Sequence, residues 1–125
     1  ATKESAAIAA MMDWGHGPSG HIHEHTMPGI SHMNYGSRLM ASNAPGSLHA
    51  GLAACNNYTN GHTAAAAVTC PTLTIVCGQD LMTPRKTGLE LHSALNGDLV
   101  EIPHSGHMSI TEQHLDVNKA LQAFF

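Results

Sequence analysis

Leu73-Thr74-Ile75-Val76-Cys77-Gly78-Gln79-Asp80 is the stretch that decides the fold. Leu73 to Cys77 is an apolar run without alternation, as in a parallel strand covered on both faces. Just downstream, Thr83-Pro84 reads as a helix N-cap followed by Pro at the first helical position. That helix runs to about Leu95, where Asn96-Gly97 stops it. Asp98-Leu99-Val100-Glu101-Ile102-Pro103 is a second strand. A strand-helix-strand unit of this length implies a right-handed parallel crossover and hence an α/β layered sheet. Ser109-Ile110-Thr111-Glu112 then reads as a capping box for a last helix, with Leu115, Asn118, Leu121 and Phe125 along one side.

Upstream of about residue 66 the chain has another character: helical patches separated by Gly, Pro and His. Lys3 to Trp14 is rich in Ala and Met, and Gly15 is a plausible stop. Gly15 to His32 reads as a loop. A short helix is expected over Asn34 to Ser42 with Asn34 as its cap, and another from about Ser47 to Asn56, with Leu48, Leu52 and Cys55 at helical spacing. Two segments result: residues 1–66, helical, and residues 67–125, α/β.

The chemistry-bearing residues lie at the ends of the two strands. Asp80 follows the first and His107, in Ser105-Gly106-His107-Met108, follows the second. In an open parallel sheet the crevice beyond the carboxyl ends of the strands is where ligands bind. Neighbouring strands would bring these residues, 27 apart in sequence, to one rim. There an aspartate can accept the imidazole Nδ1–H, fix the tautomer and stabilise the imidazolium formed when histidine takes a proton.

The run from Cys70-Pro71 through Gly78-Gln79-Asp80 and Thr83-Pro84, then Ile102-Pro103-His104-Ser105-Gly106-His107 and Glu112, resembles the α/β-hydrolase family. The resemblance covers the chain from about residue 67 onward. It implies that Asp80 is the triad acid, His107 the general base, and the fold the C-terminal strand-helix-strand-helix part of a parallel hydrolase sheet. It also implies that a serine lies earlier in the order Ser, Asp, His. The family's elbow is Gly-x-Ser-x-Gly, and Gly17-Pro18-Ser19-Gly20-His21 misplaces its second glycine. Ser37, Ser47 and Ser105 have no better setting, so the nucleophile is expected upstream of Ala1 and the isolated chain is expected to be inactive.

By the same resemblance residues 1–66 correspond to the helical cap over the active site. Trp14, Met33, Tyr35 and Leu39, with Met108 beside the histidine, are then the substrate-contact candidates. Met11, Met12 and Met40 are further ones. The implied substrate is a small carboxylic ester or related acyl compound, and no cofactor is required. An aspartate nucleophile upstream would instead imply a dehalogenase or epoxide hydrolase.

Composition narrows the alternatives. Lys and Arg total 5 against 9 Asp and Glu, a net charge of −4 with the 11 histidines neutral, which excludes the basic patch a nucleic-acid partner needs. Ala64 to Val68, the longest apolar run, is too short to span a bilayer. The first residues have no initiator Met and no signal-peptide pattern, as in an internal piece. Cys55, Cys70 and Cys77 are odd in number and read as buried free thiols of a cytoplasmic protein. A rival reading rests on His21-Ile22-His23-Glu24-His25. His21, His23 and His25 alternate and could ligate Zn, Ni or Cu, making the chain a non-catalytic metal- or partner-binding module. Finally, a first strand lacking its upstream neighbour would leave an apolar edge prone to self-association.

Overall fold

A computed structural model describes residues 3–21 and 31–125. Its elements are α1 (Lys3–Gly15), α2 (Pro18–His21), α3 (His32–Ala41), α4 (Ser47–Asn57), α5 (Gly61–Ala66), β1 (Leu73–Cys77), α6 (Arg85–Leu95), β2 (Asp98–Ile102), α7 (Ser109–Glu112) and α8 (His114–Phe124). The chain is therefore mixed α/β, helical before β1 and alternating strand and helix after it.

β1 and β2 pair in parallel, with Leu73 opposite Asp98 and Cys77 opposite Ile102. A parallel pair needs a crossover, and α6 supplies it. Gly88 lets α6 lie close on β1: a Cβ there would stand 3.0 Å from Val76 Cγ2. The helix ends as expected at Asn96, which takes the left-handed conformation (φ 53°) that Asn tolerates better than most residues. Its beginning differs. Pro84, not Thr83, is the cap position, and its ring has no hydrogen-bonding group to cap with, while the Thr83 hydroxyl is engaged elsewhere. β1 is also covered less evenly than the apolar run suggests. Thr74, Val76 and Cys77 are buried, while Leu73 and Ile75 are half-buried.

In the first segment, α1 buries Ile8, Met12 and Gly15 at helical spacing and packs on α3. The contact is close because α3 presents Gly36, where a Cβ would meet Met12 Sδ at 2.6 Å. The cap of α3 is Ser31 rather than Asn34. Its side-chain oxygen accepts from the Asn34 N–H at 3.3 Å, so Asn34 sits at the third helical position. α4 buries none of its residues, and Leu52 and Cys55, read as a packing face, are exposed. The stretch expected to be a loop after Gly15 contains the short helix α2; residues 22–30 lie outside the described part.

The C-terminal helix corrects the sequence reading most. α8 buries Val117 and Ala120, whereas Leu115, Leu121 and Phe125 are 73%, 39% and 97% exposed. The buried positions are thus Val117 and Ala120, and the large residues of the expected face are left to solvent. No helix of the described residues is long and apolar enough to cross a membrane.

Two glycines test this packing in opposite directions. A Cβ on Gly78 would stand 2.8 Å from Pro103 Cα and 2.9 Å from its carbonyl carbon. Gly78→Ala is therefore expected to destabilise by about 1–3 kcal/mol, as overpacking does. Gly51, inside α4 with nothing within 4 Å, is expected to gain about 1 kcal/mol on change to Ala. Urea-unfolding midpoints of the two variants check both signs.

Candidate active site

The pairing of the strands continues past their formal ends. Gly78 N–H donates to the Ile102 carbonyl and Gln79 N–H to the Ser105 carbonyl, both at 2.9 Å. These bonds hold the loop after β1 against the loop after β2, and they deliver Asp80 and His107 to the same rim. Ser105 is consumed by this scaffold: it is fully buried, and its hydroxyl donates to the Gly106 carbonyl at 3.0 Å.

His107 Nδ1 lies 2.9 Å from Asp80 Oδ2. A carboxylate only accepts, so Nδ1 carries the hydrogen and Nε2 presents its lone pair. Among the described residues Nε2 has no hydrogen-bond partner. The Asp80 side chain is 7% exposed and the His107 side chain 36%, so the acid is sheltered and the base accessible.

Asp80 is held from every side. Its Oδ1 accepts the backbone N–H groups of Met82 and Thr83, each at 2.8 Å. Its Oδ2 accepts the Thr83 hydroxyl at 2.6 Å besides the imidazole. Burial pushes the Asp80 carboxyl up. The hydrogen bonds from Thr83, His107 and Met82 outweigh that and hold it below the ordinary carboxylate value. Asp80 is thus a committed anion, as a partner for imidazolium must be. Thr83, expected only to cap a helix, lies in the site, and its Oγ1 is 3.2 Å from His107 Nδ1. Asp80, Thr83 and His107 line a cavity of about 180 Å³ together with Ser109 and the β1 residues Ile75, Val76 and Cys77.

Glu112 also departs from its expected role. Instead of closing a capping box on Ser109, its Oε2 accepts the Gly17 N–H at 2.8 Å and the Gly106 N–H at 3.2 Å. α7 starts from Met108 without any side-chain cap. Glu112 therefore ties the loop of the base to the α1–α2 junction. A bond from Met108 N–H to the Gly15 carbonyl at 3.0 Å reinforces the tie. Gly106 permits the contact, since a Cβ there would collide with the Gly17 nitrogen and the His16 carbonyl carbon. A glycine before the histidine is thus a matter of close approach by another backbone. Sequence spacing offers no signal for a contact 95 residues away.

The other singled-out residues are not brought together with this pair. Trp14, Tyr35 and Leu39 are 58%, 61% and 57% exposed, Met33 is half-buried, and none of them lines the cavity beside Asp80 and His107. Met108 is half-buried, with its Cγ against Gly15. Met12 is core. Ser19 donates to the His104 carbonyl at 3.4 Å and not to His107. Of the thiols only Cys77 is buried; Cys55 and Cys70 are exposed, contrary to expectation. His21 is exposed, with Nε2 3.4 Å from the Asp13 carbonyl, and His23 and His25 lie outside the described residues. No cluster able to hold a metal occurs among the described residues.

No protein-family model matches this chain, and no curated protein matches it.

The Glu112 clamp makes a measurable prediction. Its Oε1 is buried with no hydrogen-bond partner among the described residues, so Oε2 alone makes the tie. Glu112→Ala leaves two sheltered N–H groups unpaired and is expected to cost about 2–4 kcal/mol, with Glu112→Gln costing less because an amide oxygen still accepts. Thermal melts give the ranking. Faster amide exchange at Gly17 and Gly106 in the Ala variant locates the loss.

Proposed function

We propose that Asp80 and His107 are the acid and base of a serine-hydrolase site of the α/β-hydrolase type, acting on a carboxylic ester or related acyl substrate. The observation that carries this reading is the 2.9 Å Nδ1–Oδ2 contact at the carboxyl ends of adjacent parallel strands, with Nε2 left unpartnered. In this reading β1 and β2 belong to a larger hydrolase sheet and the helical segment 1–66 is its cap. No described serine hydroxyl is bonded to His107, so this reading requires a nucleophilic serine that the described contacts do not supply.

The chemistry follows from the geometry. His107 Nε2 takes the serine proton as the serine oxygen bonds to the substrate carbonyl carbon. The positive charge that forms on the ring is matched by the Asp80 carboxylate, already ionised and fixed by donors to both oxygens. Nε2–H then protonates the departing alkoxide, the ester C–O bond breaks, and an acyl-enzyme remains. Water, deprotonated by the same nitrogen, then bonds to the acyl carbon, the bond to the serine oxygen breaks, and Nε2–H returns its proton to that oxygen as the acid leaves. None of these steps needs a cofactor. The protein would act in the reducing cytoplasm, where its three unpaired thiols persist.

The decisive assay is hydrolysis of a nitrophenyl ester by the complete gene product. His107→Ala is expected to lower kcat/KM by about 10³-fold or more, and Asp80→Asn to lower kcat comparably by permitting the wrong tautomer. An unchanged rate for His107→Ala overturns the assignment. The 125-residue chain alone is expected to show no saturable hydrolysis. It is also expected to self-associate, since each strand of its sheet has one partner and one open edge. A monomer by light scattering would contradict that.

A further inference from the structure

We infer that Thr83 is a positioning residue: its hydroxyl, bridging Asp80 and His107, locks the imidazole in the Nδ1–H tautomer and aims Nε2 outward. This deepens the acid–base reading above and rests on it.

Three heavy-atom distances fix two hydrogens. Thr83 Oγ1 is 2.6 Å from Asp80 Oδ2, and since a carboxylate has no hydrogen to give, the hydroxyl donates. His107 Nδ1 is 2.9 Å from the same oxygen, so the ring donates there as well. With its only hydrogen spent on Asp80, Thr83 Oγ1 can face Nδ1, 3.2 Å away, only as an acceptor. The Nδ1–H therefore points between two oxygens, and neither can donate back to the ring. Moving its hydrogen to Nε2 would set a bare Nδ1 lone pair against a carboxylate and a hydroxyl whose hydrogen is already committed, and turning the imidazole over would put a Cδ2–H there and lose both contacts.

The local chain is arranged for this. Thr83 N–H is bound to Asp80 Oδ1 while its hydroxyl is bound to Oδ2, so residues 80–83 form a closed ring around one carboxylate. Pro84 follows, and α6 begins without a side-chain cap. A capping role would have used the hydroxyl on the helix; here it is given to the acid. Thr83 meets the ring at Nδ1 and not at Nε2, the nitrogen that the reading above gives to the substrate.

The test reads the tautomer directly in this chain. Ring ¹⁵N shifts of His107, assigned by difference with His107→Gln, are recorded at pH 8 in solution or from sedimented protein by magic-angle spinning. The wild type and Thr83→Ser, which keeps the hydroxyl, are expected to show the Nδ1–H form alone. Thr83→Val, similar in shape but without the bridge, is expected to shift the tautomer ratio several-fold, up to about tenfold, the equivalent of one hydrogen bond. Asp80→Asn is the control and is expected to admit the Nε2–H form. If Asp80→Asn changes the ratio and Thr83→Val does not, Thr83 has no positioning role. If Asp80→Asn leaves it untouched, the acid–base reading itself fails. Loss of the single tautomer in Thr83→Ser would also refute the bridge, since that variant retains every atom the argument uses.

Discussion

Two backbone hydrogen bonds beyond the end of a two-stranded ladder carry the rest of this structure. The register Cys77–Ile102 would by itself bring two loops near each other, but loops drift. Gly78 N–H on the Ile102 carbonyl and Gln79 N–H on the Ser105 carbonyl convert nearness into a fixed distance between two side chains. They can form only because Gly78 has no side chain to strike Pro103. Ser105, fully buried, contributes backbone rather than chemistry. Remove this extension and Asp80 and His107 become ordinary residues of separate loops. With it, one rotamer of each is enough to make the pair.

The second constraint is electrostatic. A carboxylate this sheltered must be paid for in hydrogen bonds, and Asp80 receives them from Met82, Thr83 and His107 at distances of 2.6–2.9 Å. Three of these four donors come from the residues immediately after it, so the anion is organised locally before the histidine arrives. Preorganisation of that kind is what a site needs where charge develops on the ring during reaction, since no group must reorient at that moment. The charge is secured at the Nδ1 edge of the imidazole, while Nε2 is left without a hydrogen-bond partner among the described residues.

How much of this could be read from the sequence follows from range. β1, α6, the stop at Asn96-Gly97 and β2 are written in local patterns: an apolar run, a proline, a turn pair, a second apolar run. The juxtaposition of Asp80 with His107 was legible as well, because parallel topology dictates it once the strands are recognised. What sequence did not give was the assignment of side chains that had two offers. Thr83 could cap α6 or serve Asp80. Glu112 could reach back to its own helix or across to Gly17. In both cases the partner outside the helix won, because a charge or a sheltered N–H outweighs a solvent-exposed helix end worth about 1 kcal/mol. α8 misleads as well: its periodic large residues outline a face, but the positions it buries are Val117 and Ala120.

The clamp at Glu112 changes how the helical segment is to be understood. A helical segment joined to an α/β layer only by apolar packing can slide, and the loop of His107 would then be indifferent to it. Here one carboxylate oxygen holds Gly17 and Gly106 together, the Gly15 carbonyl takes the N–H of Met108, and the two glycine backbones meet with no room for a Cβ. His107 stands between Gly106 and Met108, so both residues flanking the base are bonded to the α1–α2 junction. Any displacement of that junction must therefore move the backbone of His107 or break these bonds. The helical segment and the orientation of the base are mechanically one unit, and the Asp80–His107 contact is held from two directions: by the sheet through Ser105, and by the helices through Glu112.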